Sequence, residues 1–169
     1  MNKNIPLEIE RKFLIEYPDT ELLASQAGCS VKKMAQTYLL CDTGSLRVRK
    51  TVEKGKVEYR LNEKRRISEL THEEYEKVIS EETYTELLRC ADSKRMPVSK
   101  TRYAFPYGVH VMEIDVYPFW NDRAILEIEL KGENEEYKIP DFIRVIKEVS
   151  GDKRYSNKAL AREIITENI

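Results

Sequence analysis

The chain has 169 residues, 41% of them hydrophobic and 35% charged, with 29 Lys+Arg against 30 Asp+Glu. That length fits a single domain over residues 1–169, with a core that needs no covalent staples, and the composition excludes wholesale disorder. A formal net charge of −1 excludes a general nucleic-acid binder, and three cysteines (Cys29, Cys41, Cys90) without CxxC spacing argue against a disulfide framework or structural zinc.

The N-terminal segment has no apolar signal-like run, and no stretch approaches the ~20 apolar residues of a membrane span, so a cytoplasmic protein is expected. In chain order, period-two alternation predicts strands at Leu7–Ile15, Gln36–Cys41, Ser45–Thr51, Val57–Lys64, Val98–Phe105, Val109–Tyr117 and Ala124–Lys131. Asp19 or Thr20 caps a helix from Glu21 to Ala27. Thr71-x-x-Glu74 has the form of a capping box, and Tyr75, Val78 and Ile79 form an apolar stripe behind it, which predicts a second helix. Asp141–Val149 and Asn157–Ile165 read as two more. Short turn clusters such as Asp42-Thr43-Gly44 and Lys54-Gly55-Lys56 join the strands, which favours antiparallel hairpins over βαβ units. The fold class is α+β, dominated by one antiparallel sheet.

Side chains alternate across a strand, so the pattern assigns each residue a face. Glu8, Glu10 and Lys12 oppose Leu7, Ile9, Phe13 and Ile15; Arg47 and Arg49 oppose Leu46 and Val48. Lys100 and Arg102 oppose Thr101 and Tyr103; Glu113 and Asp115 oppose Met112, Ile114 and Val116; Glu127 and Glu129 oppose Leu126, Ile128 and Leu130. A sheet with one face in water commonly looks this way. The signs here, however, come in same-sign pairs about 7 Å apart along each strand, whereas a surface built for solubility mixes them. A sheet curled into a closed tube would turn those blocks inward, acidic clusters facing basic ones. Clustered carboxylates suit a hard divalent cation such as Mg²⁺ or Mn²⁺. Arginine and lysine complement phosphate oxygens, and the combination suits phosphoryl transfer. The chain lacks a GxxxxGK[ST] phosphate loop, so such a site would have to be made of strand side chains.

Glu8-Ile9-Glu10-Arg11-Lys12 resembles the ExExK signature of the CYTH superfamily, the triphosphate tunnel metalloenzymes. Further segments follow in family order: Gln36-Thr37-Tyr38-Leu39, Leu46-Arg47-Val48-Arg49, Lys64, Glu74-Tyr75-Glu76, Lys100-Thr101-Arg102-Tyr103, Glu113-Ile114-Asp115, Leu126-Glu127-Ile128-Glu129-Leu130 and Asp152 to Leu160. The resemblance implies a closed tunnel of about eight antiparallel strands with helices packed outside. It implies metal-dependent hydrolysis of a linear triphosphate, inorganic or organic, with Mg²⁺ or Mn²⁺. Conversion of ATP to cyclic AMP, as in class IV adenylyl cyclases, and a non-catalytic polyphosphate- or nucleotide-binding module are the alternatives. The partner implied is a small-molecule triphosphate; no general nucleic-acid binding and no membrane association are expected, in a monomer or homodimer.

Carried over residue by residue, the resemblance makes Glu8, Glu10, Glu127 and Glu129 metal carboxylates, with Asp115 and Glu76 completing the site. Lys12, Arg47, Arg49, Lys64 and Arg102 would neutralise the triphosphate, Lys100 and Tyr38 would act near the scissile linkage, and Arg154 and Lys158 would close one tunnel mouth. One departure stands out. The arginine that the family commonly carries before the E-x-E pair is missing from Thr71-His72-Glu73, leaving Arg65 or Arg66 to replace it and His72 as a solvent-facing helix residue. Trp120, Tyr107 and Phe119 are expected to pack at loops.

Overall fold

A computed structural model describes residues 6–169 of the chain, so the reading of the first five residues lies outside it. The strands are β1 (Leu7–Glu16), β2 (Ser30–Leu39), β3 (Ser45–Glu53), β4 (Lys56–Arg66), β5 (Thr71–Ile79), β6 (Val98–Tyr107), β7 (His110–Val116), β8 (Arg123–Leu130) and β9 (Val145–Glu148). Eight of them run β5-β4-β3-β2-β6-β7-β8-β1 around a barrel that closes where Leu7–Ile9 of β1 pairs with Thr71–Glu73 of β5. Every pairing is antiparallel. The strand β9 adds to β1 beyond the point where β5 leaves it, pairing Glu148, Lys147 and Val145 with Phe13, Leu14 and Ile15. The expected α+β class and closed antiparallel tunnel are what forms.

The apolar strand faces point outward. Phe13 and Ile15 of β1, Phe105 of β6, Met112 and Ile114 of β7, and Leu126, Ile128 and Leu130 of β8 form one buried layer outside the barrel wall. The helix α1 (Thr20–Ala24), capped by Asp19, covers that layer with Leu23, and the segment carrying Tyr137, Ile139 and Ile143 covers the rest. The core therefore sits between wall and cover, which leaves the inward faces to the ionised residues.

A second apolar cluster closes part of the interior. The inward row Glu8-Glu10-Lys12 of β1 continues to Leu14, the row Glu129-Glu127 of β8 continues to Ile125, and Glu113-Asp115 of β7 continues to Tyr117. These three residues pack with Tyr38, Val98, Trp120 and the C-terminal residues Val149, Tyr155 and Leu160. Phe119 stacks on Tyr117 and Trp120 meets both rings edge-on in this cluster, the packing role expected of them.

Three helix expectations change. Thr71–Ile79 is not a helix but β5, and the capping threonine instead donates its hydroxyl to the Glu133 carboxylate at 2.5 Å. Strand pairing with β4, from Arg66 opposite His72 to Tyr59 opposite Ile79, outweighs the local cap signal. Asp141–Val149 is not a helix either; its second half is β9, recruited by the free edge of β1. The last helix is short, α3 (Asn157–Leu160), after which Met96 N–H donates to Ala161 O at 2.7 Å and Trp120 Nε1 to Ile165 O at 2.9 Å. One helix went unpredicted: α2 (Glu81–Leu87), capped by Ser80, which sets Tyr84 against Tyr59 of β4 with ring centroids 4.7 Å apart.

Ile128 is fully buried in the outer layer. Ile128→Ala is expected to lower the free energy of unfolding by about 2–5 kcal/mol, read by urea denaturation followed by tryptophan fluorescence.

Candidate active site

The barrel encloses a cavity of about 670 Å³ lined by the ionised strand faces. Of the residues singled out in the sequence, Glu8, Glu10, Lys12, Tyr38, Arg47, Arg49, Lys64, Glu76, Lys100, Arg102, Glu127, Glu129 and Lys158 all line it. Two do not. Asp115 is wholly enclosed in the wall, and Arg154 is exposed and paired with Asp152 at 2.6 Å, outside the cavity. Lys158 lies at the rim, where its ammonium donates to Gly44 O.

An acidic corner forms where β1, β4 and β5 meet. Lys64 Nζ sits among three carboxylates: it donates to Glu8, lies 3.3 Å from Glu10 and 3.6 Å from Glu74. His72 of β5 pairs across the barrel seam with Glu8 and lines the same corner, so it is neither helical nor turned to solvent. Burial, a hydrogen bond to Glu74 and the charge of Glu10 raise the Glu8 carboxyl to about 9. Burial opposes ionisation of Glu74 too, but the bond from Glu8 and the charges of Lys64 and Arg47 hold it down near 2. Glu8 and Glu74 are thus pushed in opposite directions, one toward the protonated and the other toward the ionised form, as two carboxyls forced together are. Burial and the Lys64 ammonium push His72 down to about 4, leaving a neutral imidazole at neutral pH.

This corner fits a divalent cation. Ligand atoms of Glu8, Glu10 and His72 lie within 4.8 Å of one another, and Glu74 Oε2 is buried beside them, its nearest cation the Lys64 ammonium at 3.6 Å. Glu129 lies directly opposite Glu10 in the β1–β8 register, within reach of the same corner. Oxygen-rich clusters that must otherwise hold a proton or borrow a lysine are the usual setting for such ions.

The deeper wall is an ion-pair network. Asp115 accepts from Lys100 Nζ at 2.5 Å and from Arg102 Nε and Nη2, each at 2.7 Å. Arg102 also reaches Glu113 and Glu127, both at 2.5 Å, and Lys12 Nζ lies 2.9 Å from Glu127. Glu127 opposes burial through Lys12, Arg102 and Lys100, which hold it well below the usual carboxylate range. Burial and Arg102 lower Lys100 to about 8, against the pull of Asp115 and Glu127. Asp115, an expected metal carboxylate, is instead spent on two cations with no solvent contact, and Glu127 is likewise committed to Lys12 and Arg102.

Across the bore, Glu76 bridges Arg49 at 2.8 Å and Arg60 at 2.6 Å. Arg47 has no salt bridge among the described residues, and the Nε–H groups of Arg47 and Arg49 are buried without partners. The sequence reading missed Glu74, His72 and Asn62, which donates to Glu74 and, at 3.1 Å, to Glu76. The E-x-E spacing at Glu74 and Glu76 carries the signal once the segment is read as a strand. Of the two arginines proposed to replace the missing one, Arg66 lines the cavity while Arg65 pairs with Glu73 on the opposite strand face.

A closed antiparallel barrel with carboxylates and cations converging inside defines a β-tunnel protein. The CYTH domain pattern matches residues 6–162, and the chain belongs to that family. It is 32% identical over 157 residues to an inorganic triphosphatase of Acetivibrio thermocellus, covering 92% of this chain and 93% of that protein. It is 33% identical over 163 residues to an inorganic triphosphatase of Nitrosomonas europaea, covering 93% and 98%. A crystal structure of an inorganic triphosphatase superposes with a TM-score of 0.55 at 29% identity, covering 93% of this chain and 95% of that one. A protein of Pyrococcus horikoshii shares the fold with a TM-score of 0.57 at 21% identity, over 75% of this chain and 80% of that one. Among the described residues no helix is long and apolar enough to cross a membrane.

Removing Asp115 would leave the buried Lys100 ammonium without its ion-pair partner and take two bonds from Arg102. Asp115→Ala is expected to destabilise the fold by about 3–5 kcal/mol in urea denaturation at pH 7, with Asp115→Asn costing less because the amide oxygen still accepts.

Proposed function

We propose that the protein hydrolyses a linear inorganic triphosphate with the help of a divalent cation. The observation that carries this is the coexistence, in one cavity, of arginine N–H groups without partners and of three carboxylates gathered around a single ammonium. A polyphosphate chain needs the first and its counter-ion the second. The family membership and the inorganic triphosphatases that resemble the chain over nearly its whole length support the same reading. No Phe or Trp lines the cavity among the described residues, its one tyrosine, Tyr38, is only 3% exposed, and the imidazole of His72 sits among carboxylates, so the lining offers no broad platform for a base. That favours inorganic tripolyphosphate over a nucleotide.

In this reading Glu8, Glu10 and Glu129, with Glu74 beside them, hold the cation, which supplies charge neutralisation to the phosphate oxygens. Mg²⁺ and Mn²⁺ are the candidate ions. With those carboxylates holding a cation, Lys64 would be free to neutralise the phosphate chain. Arg47 and Arg49 bind phosphate oxygens through the N–H groups that lack partners, and Lys12 and Arg102 line the facing wall. A water attacks the terminal phosphorus in line as the P–O–P bond breaks. Lys100, poised near pH 8 and steered by Asp115, gives a proton to the departing phosphate oxygen. Tyr38 and the rim lysine, Lys158, line the path beside it.

Phosphate release from tripolyphosphate, ATP and thiamine triphosphate, measured side by side with Mg²⁺ and with Mn²⁺, tests the function. Turnover of tripolyphosphate well above the others is expected; cyclic AMP from ATP would favour the cyclase reading, and binding without release would favour a passive module. Lys100→Ala is expected to lower kcat by about 10²–10⁴ while KM changes little. Because the protonated lysine is the acid, kcat of the native chain should fall as pH rises through about 8, and Lys100→Ala should lose that limb.

A further inference from the structure

The acidic corner contains one donor that is not oxygen. His72 projects from β5 opposite Glu8 of β1, and its ring lies in the same ligand group as the Glu8 and Glu10 carboxylates, all within 4.8 Å. Its Nδ1 is buried and makes no hydrogen bond. The cation beside it on β4, Arg66, does not use the imidazole: its Nε donates to Ser68 O at 2.8 Å. Lys64, the ammonium that occupies the corner, bonds to Glu8 and Glu10 and not to His72. The imidazole thus has a bare, buried nitrogen and shares its corner with two carboxylates.

We infer that His72 is a nitrogen ligand of the divalent cation and makes the site select a first-row transition ion, Mn²⁺ or Co²⁺, over Mg²⁺. The inference rests on the cation site of the proposed function and deepens it by naming the ion class. Carboxylate and water ligands alone suit Mg²⁺, which is hard and reluctant to lose water. An imidazole shifts the balance toward ions later in the first-row series, whose affinity for nitrogen grows along it. With metal–ligand bonds of about 2.0–2.2 Å, donors across an ion stand roughly 4 Å apart. The present separation thus needs only a small contraction of side chains. The strands hold Glu8 and His72 as register partners, so the backbone need not move.

The experiment uses the whole chain with Mn²⁺, Co²⁺ and Mg²⁺ as the probes. Calorimetric or competition titrations give the affinity ratio of each transition ion to Mg²⁺. Pulsed electron paramagnetic resonance of the Mn²⁺-loaded protein reads imidazole ¹⁴N directly. His72→Gln exchanges the nitrogen donor for a carbonyl oxygen of similar reach, and His72→Ala removes it. The native chain should show imidazole ¹⁴N modulation that both variants lack. The preference for Mn²⁺ and Co²⁺ over Mg²⁺ should fall about tenfold or more in His72→Gln. Tight Mn²⁺ binding with no ¹⁴N modulation in the native chain, or an unchanged ratio in His72→Gln, overturns the assignment of His72 and leaves the triphosphatase reading standing. A native chain that binds none of the three ions overturns both. The native spectrum decides the matter even if a variant does not fold.

Discussion

Ionised side chains inside a small barrel are held chiefly by charges of opposite sign, because a lone desolvated charge costs several kcal/mol. That constraint organises this protein. Lys12 faces Glu127, Lys100 faces Asp115, Arg49 faces Glu76, and Lys64 faces three glutamates. The near-equality of 29 basic and 30 acidic residues in the whole chain is mirrored locally, pair by pair, along the bore. Where the pairing is incomplete the cavity is chemically receptive. Arg47 and Arg49 retain unsatisfied N–H groups, and Glu8, Glu10 and Glu74 crowd around the one ammonium of Lys64. Those imperfections point at a polyanion and its counter-ion.

The charged interior also explains where the hydrophobic core lies. A barrel with an apolar bore would need little outside it, but here the greasy faces look outward and must be covered. The helix α1 and the segment through Ile143 do this on the β1, β8, β7 and β6 side. The interior becomes apolar only where the strand rows run out of charge, at Leu14, Ile125 and Tyr117, and there the C-terminal residues Tyr155 and Leu160 join them. Tyr117 anchors this plug through a 2.6 Å hydrogen bond to Asn157, so the last segment of the chain is fixed against the deep ion-pair wall.

Much of this was legible in the sequence because a strand writes its two faces in alternate letters. The split of Glu8, Glu10 and Lys12 from Phe13 and Ile15 needed no coordinates, nor did the pairing of Arg47 with Arg49. Closure was legible only through the family resemblance, since alternation gives a face but not its direction. Two of the helix misreadings share a cause: at Thr71–Ile79 and Asp141–Val149, local helix signals were outvoted by barrel edges needing partners. Thr71 and Glu74 mimic a capping box, yet the seam between β4 and β1 demands a strand there. That single misreading hid Glu74 and sent His72 to solvent, because on a helix neither would face Glu8. Asp115 and Glu127 follow the acidic alternation faithfully, but which acid meets a cation depends on cross-strand register, Arg102 opposite Asp115 and Lys12 opposite Glu127, which one sequence does not print. Arg154 was misplaced for a simpler reason: its guanidinium folds back on Asp152, two residues away.

The account stands on the claim that the bore binds a polyphosphate on its cationic wall and a divalent ion at its acidic corner. Anomalous diffraction from crystals of the protein soaked with Mn²⁺ and tripolyphosphate measures this directly. The account predicts a manganese peak between Glu8 and Glu10, with phosphate density running from it toward Arg47 and Arg49. Manganese and phosphate found only on the outer surface, with Lys64 still seated among its three glutamates, would contradict it.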